Sequence, residues 1–454
     1  MLIEFTIENF GSFNESQCLE MAATKHKRLS NNLFSTGLNH HPTRVASSAL
    51  IYGFNASGKS QMVKAAQFMR DMVLNSNRKP VEKNLAITPF LLDPDSSRRP
   101  STLEVAIIAN GHLCRYGFKA DRNLIWEEWL SIHGSRRGTP DGFRRMYEPE
   151  SNSYQVEVKG LKGIKLAIQH VPEDWLALTH ICQGHFLKDS SQQWGDVQAV
   201  YNWFKDKLRV MPVIQEVPHD KALELSRDSE RMIWILNFLQ VVDRGIDTLQ
   251  LEKSEHLSPD VQLDLIDLVG RVTTSHEKKS ALVNAIKASD TETLAKLGLD
   301  FQGRELKIVR TMPKTGDAVS FSANMESQGT NRVFAMAGCI KDVVDNGYVV
   351  MIDEMEIGLH YRISRFLLDL FNDPKRNHKG AQMIATTHKS NLLDQSFMRP
   401  DQLWMMEKNE HHESRLYPLC DLQVKLEKQQ TWPQFFLQGN FGKIPMNRVR
   451  RVPL

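Results

Sequence analysis

The segment Ser48-Ala49-Leu50-Ile51-Tyr52-Gly53-Phe54-Asn55-Ala56-Ser57-Gly58-Lys59-Ser60 constrains this chain more than any other. A short run suited to a buried strand passes directly into Gly53-x4-Gly58-Lys59-Ser60. Residues 61–76 then carry Met62, Ala65, Ala66, Phe68, Met69, Met72 and Val73 at helical spacing, an apolar stripe along one face. Strand, glycine-bounded loop and amphipathic helix, in that order, make a phosphate cradle. Glycines let backbone N–H groups curl around phosphate oxygens, and the helix N-terminus adds its positive end. Lys59 would neutralise the β- and γ-phosphates, and Ser60 would offer its hydroxyl to Mg2+. The bland alternative is a glycine-rich turn that binds nothing; the complete motif with the correct flanks argues against it.

Three later segments extend this chemistry. Tyr348-Val349-Val350-Met351-Ile352-Asp353-Glu354 reads as a buried strand with two carboxylates at its carboxyl tip, where ligands of open α/β sheets sit. There Asp353 would hold Mg2+ and Glu354 would act as general base on the attacking water. Ala381-Gln382-Met383-Ile384-Ala385-Thr386-Thr387-His388 is a second such strand, ending in a histidine 34 positions after Glu354 (354 to 388). His388 near a γ-phosphate could hydrogen-bond it and sense its loss. Glu326-Ser327-Gln328-Gly329-Thr330 opens a helix running to about Asp345, and Ser-x-Gly at a helix start is a further anion cradle. Taken alone, the pentapeptide is better read as a simple N-cap. Lys59 and Asp353 are 294 positions apart (59 to 353), and a head-to-tail dimer is the economical way to give a second cradle a phosphate to hold.

Composition removes other classes. Lys plus Arg is 57 against 54 Asp plus Glu, a net charge of +3, so any nucleic-acid contact must be a local patch. Cys18, Cys114, Cys182, Cys339 and Cys420 have no CxxC spacing, which excludes a zinc ribbon and points to a reducing compartment. No apolar run reaches membrane-spanning length and the start has no basic, apolar leader, so a cytoplasmic protein without membrane contact is expected. His40-His41 and His411-His412 read as loop residues, since neighbours on extended chain point apart. Arg98-Arg99, Arg136-Arg137 and Arg144-Arg145 read as solvated surface charge. The basic end, Lys443 to Arg451, is equally a frayed terminus or a tail for nucleic acid or a partner.

The alternation over 2–9 predicts a strand with a hairpin partner at 17–21. Strands are also expected at Ile87–Leu92, Leu103–Ala109 and Leu113–Phe118, the last two joined by Asn110-Gly111. Beyond 170 the pattern turns mostly helical, with a capped helix start at Ser258-Pro259-Asp260 and a capping box at Ser289/Glu292. Strands at 305–309 and 318–321, a helix at about 361–372 and a strand at Gln382–Thr386 follow.

In order, IYGFNASGKS, ESQGT, VVMIDE and IATTH resemble the ABC-type ATPase heads of the SMC and recombination-repair group. More narrowly, MLIEFTIENFGSF, ESQGTNRVFAMAG, DEMEIGLH, TTHKSNLLD and FLQGNFGKIP resemble a bacterial family of stand-alone ABC-type ATPases. That family is similar to the OLD and abortive-infection ATPases and is found in anti-phage operons beside a separate effector gene. The resemblance covers 1–130 and 300–445. It implies an α/β fold, a P-loop ABC-type ATPase head with a mixed sheet and an inserted, mainly helical lobe. The head's first half would be 1–130, the lobe 131–300 and the second half 301–454. Carried over by position, Gly53, Asn55, Ala56, Ser57, Gly58, Lys59, Ser60 and Gln61 bind nucleotide. Ser327 and Gly329 form the signature acting on the partner's nucleotide, Asp353 with Ser60 takes the metal, Glu354 is the base and His388 the switch. Glu356 to His360 falls where the dimer-crossing loop lies. The implied activity is ATP hydrolysis with Mg2+ in a homodimer or a higher assembly of dimers. The implied role is sensor and regulator of a separately encoded effector, a nuclease being expected, with DNA or a phage protein as trigger. The alternative is an SMC-like DNA-repair or DNA-clamping ATPase.

Overall fold

The alternating N-terminus forms strand β1 (Leu2–Glu8), and the turn at Asn9–Phe13 returns the chain as β2 (Gln17–Glu20), antiparallel to it. The computed structural model describes residues 1–77, 85–134, 140–161, 163–184, 192–211, 228–241, 243–253, 266, 276–288, 304–322, 325–326, 328–356, 361–422 and 431–437. It divides into two compact units, Met1–Glu216 with Asp342–Leu454, and Val217–Lys341.

The first unit contains two large sheets. One is antiparallel and adds β6 (Ser101–Ala109), β7 (His112–Ala120), β8 (Ile125–His133), β9 (Asp141–Glu148) and β10 (Ser153–Lys159). Its order is β10-β9-β8-β7-β6-β1-β2. Asn110 and Gly111 join β6 to β7 with φ of 50° and 77°, the geometry that matches strand twist. The other sheet is built from β5 (Ser48–Tyr52), β11 (Leu208–Met211), β15 (Val349–Ile352), β16 (Gln382–Thr387), β17 (Leu403–Lys408) and β18 (Ser414–Pro418). Its order is β11-β15-β16-β5-β17-β18, parallel except for β18. Every residue of β5, β15 and β16 is buried, as expected of parallel strands covered on both faces. A small pair, β3 (Leu33–Ser35) and β4 (Arg44–Ala46), lies between β2 and β5 in sequence.

Helix α1 (Lys59–Asn75) buries the stripe read from the sequence, including Met62, Ala65, Ala66, Met69, Met72 and Val73. Its Ala66 and Met69 meet Phe5 and Val105 of the antiparallel sheet and Met351 of the parallel one around a common apolar point, so α1 lies between the sheets. Gln382, fully buried, ties them together: its Oε1 accepts from Leu2 N–H at 2.6 Å and its Nε2 donates to Leu2 O at 3.0 Å and Ala46 O at 3.2 Å. Helices α2 (Ile164–Gln169), α3 (Ala177–Gln183) and α4 (Gln192–Asn202) add to this core.

The second unit carries α5 (Ser229–Gln240), β12 (Thr248–Lys253), α6 (His276–Lys287), β13 (Arg304–Thr311) and β14 (Ala318–Ser322). Strands β12, β13 and β14 form an antiparallel sheet. Asp228 caps α5, accepting from the N–H groups of Glu230 and Arg231 at 3.0 Å. Arg310 on β13 pairs with Asp243 at 2.9 Å and Glu326 at 2.8 Å. Helix α7 (Gln328–Asn346) spans the division between the units. Helices α8 (Tyr361–Asn372) and α9 (Trp432–Leu437) complete the described elements.

Several expectations differ from this structure. Residues 87–92 form no strand: Gly11 N–H bonds Thr88 O at 2.8 Å and Phe90 N–H bonds Asn9 Oδ1 at 3.1 Å, so the segment packs irregularly on the β1–β2 turn. The lobe does not begin at 131, because β8 pairs with β7 and β9 with β8, keeping the chain in the first unit to Glu216. Strands β13 and β14, placed by sequence in the second half of the head, belong to the second unit. Arg145 is not surface charge. It is fully buried, donating to Trp175 O at 3.0 Å, Val171 O at 2.7 Å and Pro172 O at 2.9 Å, with Tyr154 beneath it. Arg144 is paired with Glu127 at 2.7 Å. The helix start at 258–260, the capping box at 289–292, Arg136-Arg137 and the basic end lie outside the described residues.

Candidate functional site

The loop after β5 turns through Ala56 at φ 63° and Gly58 at φ 111°, conformations that glycine adopts freely and other residues resist. Space as well as φ demands glycine at 58. A Cβ there would lie 2.1 Å from Ser414 Oγ and 2.7 Å from Ser12 Oγ. These hydroxyls buttress the loop: Ser414 Oγ donates to Ser57 O at 2.7 Å and lies 2.7 Å from Ser12 Oγ, while Ser414 N–H donates to Ser12 O at 2.8 Å. At Gly53 a Cβ would lie 2.3 Å from Met406 O. Thus β1–β2, β17 and β18 press the loop into shape from below.

Lys59 begins α1 and is only 5% exposed. Its Nζ donates to Gly53 O at 2.8 Å and Phe54 O at 3.0 Å, across the mouth of the loop. Burial lowers its pKa, while the charges of Glu354, Asp353 and Glu356, in falling order, pull it back up. The same three acids therefore sit within electrostatic reach of the loop lysine. The Ser57 hydroxyl is buried without a hydrogen-bond partner among the described residues, inside the cradle. Asn55 and Ala56 are exposed and Ser60 is half-buried. The Gln61 side chain lies beside Gly11, where a Cβ would come within 2.5 Å of its Oε1, so Gln61 faces the β1–β2 turn.

The acidic pair follows β15. Asp353, 8% exposed, accepts from Thr386 Oγ1 at 2.6 Å, and its own N–H donates to Met211 O at 3.0 Å. Glu354 adopts φ 48°, left-handed, with its N–H donating to Thr386 Oγ1 at 2.7 Å. One of its carboxylate oxygens is 3.6 Å from His388 Nε2, with about a third of each side chain exposed. Glu356 accepts a hydrogen bond from His388 N–H and keeps its other oxygen buried without a partner among the described residues.

Strand order brings these groups together. β15, β16 and β5 are neighbours and parallel, so Asp353 and Glu354, His388 and the phosphate loop all emerge at one edge of the sheet. Ser327 lies outside the described residues, as do residues 357–360 with His360. Gly329 stands in the first turn of α7, in the second unit. Sequence reasoning missed Ser12 and Ser414, and the contacts that Thr386 and Glu356 make with Asp353 and His388. It also missed Phe436 of α9, whose ring stacks on Phe54 of the loop (centroids 5.3 Å apart, planes 8° apart) and meets Tyr52 edge-on at 5.9 Å. Among the described residues no group of three His, Cys, Asp or Glu side chains could hold a metal, and no helix is long and apolar enough to cross a membrane. All five cysteines are free.

Residues 224–394 match the protein-family profile described as "AAA domain, putative AbiEii toxin, Type IV TA system". The matched stretch includes Ser327, Gly329, Asp353, Glu354 and His388, and the phosphate loop lies upstream of it. No curated protein matches the chain. Among solved structures, an SMC head bound to the C-terminal winged-helix domain of ScpA is 12% identical, with 94% of this chain and 98% of that chain covered and a TM-score of 0.37. The SMC head domain from Thermotoga maritima is 11% identical, with 94% and 99% covered and a TM-score of 0.35. At those scores neither adds to the fold already described.

Proposed function

We propose that this chain binds ATP with Mg2+, hydrolyses it, and uses the cycle as a switch. One observation carries the reading: the phosphate loop, the Asp353–Glu354 pair and His388 leave three adjacent parallel strands at the same edge. The AAA-domain match over 224–394 supports it. The donor set suits Mg2+: the Asp353 carboxylate and Ser60 hydroxyl are hard oxygen ligands, few in number, as befits an ion that keeps several waters and takes phosphate oxygens. When bound, Mg2+ would neutralise charge on the phosphates.

The remaining steps belong to the protein's own groups. Lys59 exchanges its hold on the Gly53 and Phe54 carbonyls for phosphate oxygens, a charge-assisted replacement. Glu354 takes a proton from the attacking water, and His388, beside it, donates a hydrogen bond to the γ-phosphate. Ser327 and Gly329 of one copy close over nucleotide held by another in a head-to-tail homodimer, so binding joins the copies and hydrolysis loosens them. The switch controls a separately encoded effector, a nuclease, in defence against phage, with DNA or a phage protein as trigger. That part rests on the resemblance of DEMEIGLH and TTHKSNLLD to defence ATPases and on a family description that names a toxin–antitoxin system.

Lys59→Ala should abolish nucleotide binding in a fluorescent-nucleotide titration. Glu354→Gln should bind ATP, release no phosphate and shift to dimer by light scattering. Turnover unchanged in both variants would reject the site. Plaque counts on cells carrying the operon should rise to unprotected levels with Lys59→Ala, and full protection by that variant would reject the defence role.

A further inference from the structure

The hydroxyl of Thr386, two residues before His388, touches both acids of the candidate site, a role its motif does not announce. It donates to Asp353 Oδ1 at 2.6 Å and accepts from Glu354 N–H at 2.7 Å. Thr386 O accepts from Met355 N–H at 3.1 Å, so one residue of β16 grips three successive residues after β15. Thr386 is fully buried, and water has no access to substitute for its hydroxyl. The middle residue of the three, Glu354, stands at φ 48°, a left-handed conformation that a side chain resists and that contacts with its neighbours must offset. That bend sends the Glu354 carboxylate toward His388, 3.6 Å from its Nε2.

We infer that Thr386 is the positioning residue of the acidic pair: a single hydroxyl fixes the rotation of the Asp353 carboxylate and locks the backbone bend that aims Glu354. The inference rests on the nucleotide-hydrolysing reading above and deepens it. The chemistry is directional. A threonine hydroxyl has one proton to donate, and the Asp353 carboxylate, which when ionised can only accept, receives that hydrogen bond. The lone pairs are then free for the Glu354 N–H. Valine keeps the shape and the β-strand preference but has neither donor nor acceptor. Serine keeps both. Alanine removes the hydroxyl without inserting a second methyl beside the carboxylate.

The test compares Thr386→Val, Thr386→Ser and Thr386→Ala in the full chain, with Glu354→Gln as reference for a lost base. Partners in this outer layer typically account for about ten- to a hundredfold in metal affinity or activity. Thr386→Val and Thr386→Ala should therefore lower kcat about ten- to a hundredfold with little change in KM. A fluorescent ATP analogue, titrated at rising Mg2+ concentration, should need about ten- to a hundredfold more Mg2+ to reach full affinity in the valine and alanine variants. In EDTA the three variants and the native chain should bind it alike. Thr386→Ser should restore both the kcat and the Mg2+ dependence. A valine variant with native kcat and native Mg2+ dependence, alongside an active native chain, overturns the inference alone. A serine variant as impaired as valine also overturns it, because then the methyl and not the hydroxyl matters. A native chain that binds no nucleotide overturns the reading and the inference together.

Discussion

Replacing Gly58 by alanine tests whether the phosphate loop is shaped by its supports. The new Cβ would sit 2.1 Å from Ser414 Oγ, 2.7 Å from Ser12 Oγ and 2.9 Å from Ser414 Cβ. Ser414 Oγ cannot swing aside freely, since it bonds Ser57 O and Ser12 Oγ, both at 2.7 Å. Breaking those two bonds costs about 0.5–1.5 kcal/mol each. Holding alanine at φ 111° adds about 1–3 kcal/mol. The sum is about 2–6 kcal/mol, and the loop sheds it by moving off its supports, which turns its N–H groups away from the phosphates. A loss of about 3 kcal/mol is more than a hundredfold in Kd. Thermal unfolding and nucleotide titration measure the two sides of this. The same substitution in a Ser12→Ala, Ser414→Ala background should cost about 1–3 kcal/mol less, because both hydroxyl collisions are gone, leaving the backbone strain and the 2.9 Å approach to the Cβ of residue 414. An alanine variant with native midpoint and native affinity would refute the reasoning. So would an identical penalty in both backgrounds.

Other consequences are as specific. Burial, with the charges of Glu4 and Asp421, pushes the Glu20 carboxyl up to about 7 from an ordinary 4.5. The folded protein thus holds a proton there that the unfolded chain has lost, so this group's contribution to stability falls as pH rises from about 4.5 to 7 and stays low above. Glu20→Gln should be the more stable protein at pH 8, by up to about 3 kcal/mol, with the difference vanishing below pH 4.5 in urea unfolding. Arg145→Ala removes the buried guanidinium that bonds the carbonyls of Val171, Pro172 and Trp175 and should destabilise the first unit by about 3–5 kcal/mol in the same assay; Arg145→Lys, lacking the planar fork, should recover only part. Phe436→Ala should cost about 3 kcal/mol of local packing and strip the stacked ring from the already exposed Phe54, seen as faster cleavage near α9 in limited proteolysis.

Local pattern settled a definable part of this protein. The phosphate loop was legible because its glycines, lysine and serine stand within eight residues, next to a strand and a helix whose periodicities announce themselves. The acids and the histidine were legible because a buried parallel strand is nearly all apolar, so polar residues mark where it ends. Strand β9 was not, because Gly142 and the adjacent Arg144 and Arg145 interrupt any alternation, whereas β10 does alternate, with Tyr154, Val156 and Val158 set between Gln155, Glu157 and Lys159. Arg145 reads as surface charge in any window of sequence, and only the fold supplies the carbonyls that accept its protons. The same holds for the supports of the site. Ser414 is 356 residues from Gly58 (58 to 414), and Thr386 is 33 from Asp353 (353 to 386), separations at which no local rule operates. Which groups could handle phosphate was written in the order of the residues. How those groups are aimed was decided by strands pairing side by side, since contact between distant residues exists only once the sheet has formed.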